Sequence, residues 1–160
     1  MMRRTARRAT AAAIIVAAAG GIAPTSARAL DEDVMTNILS PIYLAKNLTA
    51  VCAKLDQSFI EDTRGRTGTA AEVTQRMVDQ VLATMTRDEA APIVVAAARH
   101  ARAVGLGMIR AQSGGSVDDQ TERVKRLCER TAEPFVRGVV EDHETRPDFF
   151  EQMLRDARQG

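Results

Sequence analysis

Along the first third of the chain, Leu44, Leu48, Val51, Cys52, Leu55 and Phe59 follow one another at three- and four-residue spacing. On a helix of about 3.6 residues per turn this spacing gathers them on one face. Ser40-Pro41 reads as the start of that helix, a capping hydroxyl followed by a proline whose missing N–H costs nothing at the first helical position. Its end is expected near Asp62, before Arg64-Gly65-Arg66-Thr67-Gly68. Asp31 to Leu39 reads as a short amphipathic turn or a mobile lead-in.

Thr69 and Glu72 stand at capping-box spacing and open a second helix, with Val73, Met77, Val81, Leu82 and Met85 as its stripe. Thr86 and Glu89 repeat the spacing for a third helix running to about Gln112, which Pro92 should bend or delay. Ala97, Ala101 and Gly105 lie on one face of it and allow a neighbouring helix to approach closely. Ser113-Gly114-Gly115 is a turn by composition. Ser116 with Asp119 caps a fourth helix, whose inward positions are read as Val117, Val124, Leu127, Cys128 and Thr131.

Glu133-Pro134 interrupts the pattern. Phe135, Val136, Val139 and Val140 then mark a shorter helix to about Glu144, and Pro147 heads a last one to Arg158 carrying Phe149, Phe150, Met153 and Leu154. No stretch alternates apolar and polar residues as a half-buried strand would. The pattern predicts an all-α fold, a compact bundle of four to five helices in one domain over residues 30–160.

The chain has 160 residues, 45% apolar and 27% charged, as in an ordinary globular protein. Trp is absent and there are one Tyr and four Phe, too few for the stacking platforms of a single-strand nucleic-acid binder. Arg3, Arg4, Arg7 and Arg8 precede the apolar run Ala11 to Ala19, and Ala27-Arg28-Ala29 follows it. This order of basic, apolar and small segments reads as a secretory signal, residues 1–29, cleaved after Ala29. The run is too short for a lasting bilayer span, so no membrane insertion is expected after cleavage.

Five arginines and no carboxylate leave with that segment. The remainder carries 17 basic and 21 acidic groups, a net charge of −4, against 22 and 21 for the whole chain. A mildly acidic surface gives no electrostatic reason to bind nucleic acid. Export and the marked preference for arginine over lysine suggest the periplasm of a GC-rich bacterium. The chain has two cysteines, Cys52 and Cys128, both on apolar stripes, and in an oxidising compartment they are expected to form one inter-helix disulfide.

Catalytic motifs are missing. There is no Gly-x-Ser-x-Gly, no Cys-x-x-Cys, no phosphate-cradling loop with its lysine, and no Glu-x-x-His, since Ala97 and Val140 precede the two histidines by three residues. The protein is therefore read as a binder and not as an enzyme. His100, with Met108 or Met35 opposite, is a candidate for non-covalent haem, although one histidine specifies little and aromatics to pack a porphyrin are few. The densest cluster is Glu141, Asp142, His143 and Glu144, with Asp148 just beyond. Several carboxylates in one turn suit a hard, oxygen-seeking ion such as calcium or a lanthanide, although no EF-hand frame is present. The same residues also read as a solvated face, with Arg137 pairing Glu141 and Arg146 pairing Asp142 four residues away. The second functional reading is a chaperone-like protein that offers a periplasmic partner an apolar groove, motivated by Met77, Met85 and Met108, since methionine adapts to varied surfaces.

Overall fold

The structure, a computed structural model, describes residues 30–159. They form an all-α fold: α1 (Glu32–Leu55), α2 (Phe59–Asp62), α3 (Ala70–Leu82), α4 (Arg87–Arg110), α5 (Val117–Leu127), α6 (Glu133–Thr145) and α7 (Pro147–Gln159). A π-turn, Cys128–Ala132, joins α5 to α6. Among the described residues there is no strand, only an isolated bridge between Gly65 and Gly68. The signal-peptide reading falls on residues 1–29, outside the described part.

Helix α1 starts eight residues before the expected Ser40-Pro41. Asp31 takes the capping role, its carboxylate accepting from the Val34 N–H at 3.0 Å. Pro41 sits inside the helix on its exposed side, while Ser40 is buried and donates its hydroxyl to the Thr36 carbonyl. The local start signal is overridden because Met35, Ile38 and Leu39, ahead of the proline, are all buried in the core. Buried residues recur along the whole of α1 as far as Cys52, so it serves as the central post of the bundle.

Both capping boxes at Thr69/Glu72 and Thr86/Glu89 are formed, and so is that at Ser116/Asp119. Pro92 neither delays nor ends α4, which begins at Arg87. The first turn of α4 lies near Arg158 of α7, and the Asp31 N–H, just before α1, donates to the Ala157 carbonyl. Both long helices thus start at the same end of the molecule. They run side by side in the same direction, with α3 returning between them in sequence.

Cys52 and Cys128 are bonded, with Cα atoms 5.6 Å apart and 76 positions between them in sequence. The bridge ties α1 to the start of the π-turn. That turn also explains why Thr131, expected inside, is exposed and Ala132 is buried instead. Val124, Cys128, Ala132, Val136 and Val140 are all buried at intervals of four. In an unbroken α-helix such a row would precess by about 160°; one extra residue in a wide turn takes back about 100° and keeps the row facing α1. Val117, also expected inside, is 79% exposed at the first position of α5, beyond the edge of the core.

Candidate functional site

The C-terminal turn of α6 carries Glu141 to Glu144 and the first turn of α7 carries Asp148, and these residues point to different neighbours. Glu144 turns inward, its side chain 5% exposed. Its oxygens accept from the Arg66 N–H at 2.7 Å, the Thr67 N–H at 2.8 Å and the Thr67 hydroxyl at 2.5 Å. The Arg66 guanidinium donates in turn to the Glu144 carbonyl at 2.9 Å. Burial pushes the Glu144 carboxyl up, but the bonds from Thr67 and Arg66 outweigh it and hold the group below the usual carboxylate range. Glu144 is therefore a latch that fixes the loop between α2 and α3. The loop can come this close because residue 65 is glycine: a Cβ there would lie 2.5 Å from Val140 Cγ1 and 2.6 Å from Glu144 Oε1.

Asp142 is exposed and pairs with Arg146, as the spacing suggested. Arg137 pairs back to Glu133 and not forward to Glu141, which corrects the second expected pair. Glu141 and Asp148 face solvent. Among the described residues no three His, Cys, Asp or Glu side chains converge in a way that could hold a metal ion. The five residues read as one ion site are thus divided between a latch, a surface ion pair, an imidazole and two solvated acids. The physical reason is that consecutive helical positions are about 100° apart and aim around the axis, not toward one point.

His143 has the most unusual surroundings. Its ring meets Phe150 edge to face at 5.1 Å, and its Nδ1 is buried with no hydrogen-bond partner among the described residues. Burial lowers its proton affinity, the Arg76 guanidinium lowers it further, and the Glu144 charge only partly opposes them. These surroundings favour the neutral imidazole. It stands in the wall of a cleft of about 240 Å³ between α1, α6 and α7, lined chiefly by Ile38, Ile42, Met77, Val139, Phe150 and Met153. Asp142 and Arg146 form its polar rim, and Phe149, 61% exposed, stands at the lip with the Arg146 guanidinium 5.5 Å from its ring centre.

Of the methionines that motivated the groove reading, Met77 lines this cleft, whereas Met85 and Met108 lie outside it. Met153 and the long-range partners Arg66, Thr67 and Arg76 were not singled out for a site from the sequence. The clustering of Phe149, Phe150 and Met153 was a usable signal for the cleft; nothing local marked Arg66 or Thr67 as partners of a residue almost 80 positions away. His100 is exposed on α4 and Met35 wholly buried in α1, so these two do not face each other across an open pocket.

Fold and cleft together define a disulfide-linked all-α protein with a largely apolar recess. No family model matches the chain, and neither a curated protein nor a solved structure matches it.

Proposed function

We propose that this is an exported, non-enzymatic binding protein that receives an apolar side chain of a partner protein in the cleft between α1, α6 and α7. The observation that carries the reading is the recess itself, apolar in its depth, with one ion pair at the rim and a large aromatic left in water at the lip. An exposed phenylalanine beside an apolar recess is the composition of an interface anchor and its pocket. At about 240 Å³ the recess is below the roughly 300–1,000 Å³ of sites that enclose a whole small molecule, and a single inserted side chain suits it better. Export is supported by the order of segments in residues 1–29 and by the bonded cysteine pair, which suits the periplasm.

The test is site-specific cross-linking in the periplasm from a photoreactive residue at position 149, with position 117 as an exposed control on α5. The expected result is a discrete adduct at 149 that is absent at 117 and is lost when Met153→Glu places a charge in the recess. Equal labelling at both positions discards the cleft. Calcium or a lanthanide bound by Glu141, Asp142, His143, Glu144 and Asp148 has less support, because the Glu144 oxygens are already engaged. A thermal melt with excess calcium or lanthanum decides it. An ion at a hundred times its dissociation constant adds about 2.7 kcal/mol, and such a gain, abolished by Glu141→Gln with Asp142→Asn, would reinstate the ion reading.

A further inference from the structure

A second recess lies on the other side of α1, between it and α4. Its volume is about 460 Å³, within the roughly 300–1,000 Å³ of sites that hold small organic molecules. Leu48 and Val51 of α1 and Leu106 and Ile109 of α4 supply apolar walls, and Ala98 and Gly105 leave it hollow where larger residues would fill it. A Cβ at Gly105 would meet only Leu44 Cδ1, at an ordinary 3.6 Å, so the glycine does not answer to crowding.

The edge of this groove is basic. Arg102 lines it, is exposed, and forms no ion pair with any described residue. Arg99, His100 and Arg110 lie on the same helix, and no carboxylate occurs from Ala90 to Arg110. This is a local excess of positive charge in a chain whose residues 30–160 are acidic on balance. At the other wall, burial and the Asp79 charge keep the Tyr43 phenol protonated, so it is a donor, while the same Asp79 charge disfavours an anion there. The helix above the groove is long and apolar enough to pass as a membrane span by composition, yet only 22% of that stretch is buried. Val104 and Leu106 remain in water at 37% and 39% exposure. Apolar surface around a helix that packs chiefly on one neighbour needs a cover.

We propose that the α1–α4 groove binds an anionic amphiphile, its linear apolar chain lying along Leu48, Val51 and Ile109 and its carboxylate or phosphate head paired with Arg102. An apolar chain answers to the length and lining of the groove, and an anionic head answers to an unpaired guanidinium at its edge. The volume of the groove suits a free amphiphile such as a fatty acid, and that is its occupant. This site is separate from the cleft of the proposed function and stands or falls without it.

The purified protein, with its disulfide intact, is titrated with dodecanoate, with dodecanol, and with vesicles of phosphatidylglycerol or of phosphatidylcholine. Saturable one-to-one binding of dodecanoate is expected, about tenfold tighter than the alcohol, as for one charge-assisted contact. Arg102→Ala should erase that advantage, and Ala98→Phe should abolish binding by filling the groove. Ala50→Phe blocks it from the exposed side of α1 should Ala98→Phe fail to fold. Binding of phosphatidylglycerol vesicles alone, with none of free dodecanoate, overturns the free-amphiphile occupant in favour of a membrane lipid. Met153→Glu in the other cleft should leave every one of these titrations unchanged. Absence of saturable binding to any anionic probe, or binding indifferent to Arg102→Ala and to the blocking variants, overturns the proposal.

Discussion

Helices α1 and α4 are each 24 residues long and both contain an internal proline, yet nine residues of α1 are buried and only four of α4. The difference lies in what surrounds them. Helix α1 is clasped by α3, by the α5–α6 arm and by α7, so apolar residues along most of its length are removed from water. Helix α4 leans chiefly on α1 and buries a single row, Ile93, Ala97, Ala101 and Gly105. Helix α4 is apolar enough along part of its length to pass for a span, yet only 22% of that stretch is buried. Position in the bundle decides how much of a helix counts toward stability, and what is left uncovered on α4 is available for binding.

The sharpest test of α1 as the central post is removal of its covalent tie. Cys52→Ser with Cys128→Ser should cost about 4 kcal/mol, the loop-closure value for a bridge spanning 76 positions. Denaturant unfolding measures it, and a loss below about 1 kcal/mol would mean that the arm of α5 and α6 holds to α1 by packing alone. Next comes Leu39→Ala. Leu39 is fully buried, and the substitution should cost about 3 kcal/mol through lost transfer energy and the cavity left behind. A loss under 1 kcal/mol would show that the N-terminal part of α1, ahead of Pro41, frays and that the hydroxyl-proline signal at residues 40 and 41 is the true start.

The latch at the end of α6 should have a smaller effect with a distinctive pH signature. Glu144→Gln weakens three hydrogen bonds to a buried carboxylate and should cost about 2 kcal/mol at pH 7. Because the folded carboxyl titrates below its ordinary value of 4.5, its contribution is present above that value and is lost as the pH falls through the folded one. His143 acts in the same direction at higher pH. Its proton affinity is lowered on folding, so the unfolded chain takes up the proton first, and stability falls as the pH drops below about 6.5. Stability against pH should therefore descend in two stages. His143→Gln should flatten the upper stage and Glu144→Gln the lower. A single stage untouched by either variant would detach the cleft wall from the titration of these groups.

Element identity was legible where local chemistry agreed with packing. The capping boxes at Thr69, Thr86 and Ser116 marked three helix starts correctly, and the cysteines on apolar stripes marked the bridge. The misses arise where a decisive partner was distant in sequence or where the helix geometry changed locally. Met35, Ile38 and Leu39 extend α1 ahead of the Ser40-Pro41 start signal because other helices cover them. Thr131 and Ala132 exchange places because the π-turn resets the register of a long arm, which no single-helix period reveals. Glu144 looked like one ligand among five, yet it holds a loop whose nearest anchor, Thr67, lies 77 positions earlier. A run of acids advertises charge; it does not say which acid turns inward.

The smallest effect is expected on the outer face of α4, and it bears most directly on what that face is for. Val95 and Leu106 are 55% and 39% exposed, so replacing both with serine removes little that folding had buried. In the isolated protein the double variant should stay within about 0.5 kcal/mol of the parent, as surface substitutions usually do. A loss of more than 1 kcal/mol would mean that the face is covered in the folded protein and that α4 is as much a core helix as α1. With dodecanoate present the arithmetic changes, because a ligand bound only to the native state raises stability in proportion to the logarithm of its excess over the dissociation constant. Removing the Leu106 wall should then shrink the ligand-induced rise in melting temperature while leaving the ligand-free melt in place. That separation of a binding loss from a folding loss is what distinguishes an uncovered working surface from an ordinary exposed helix.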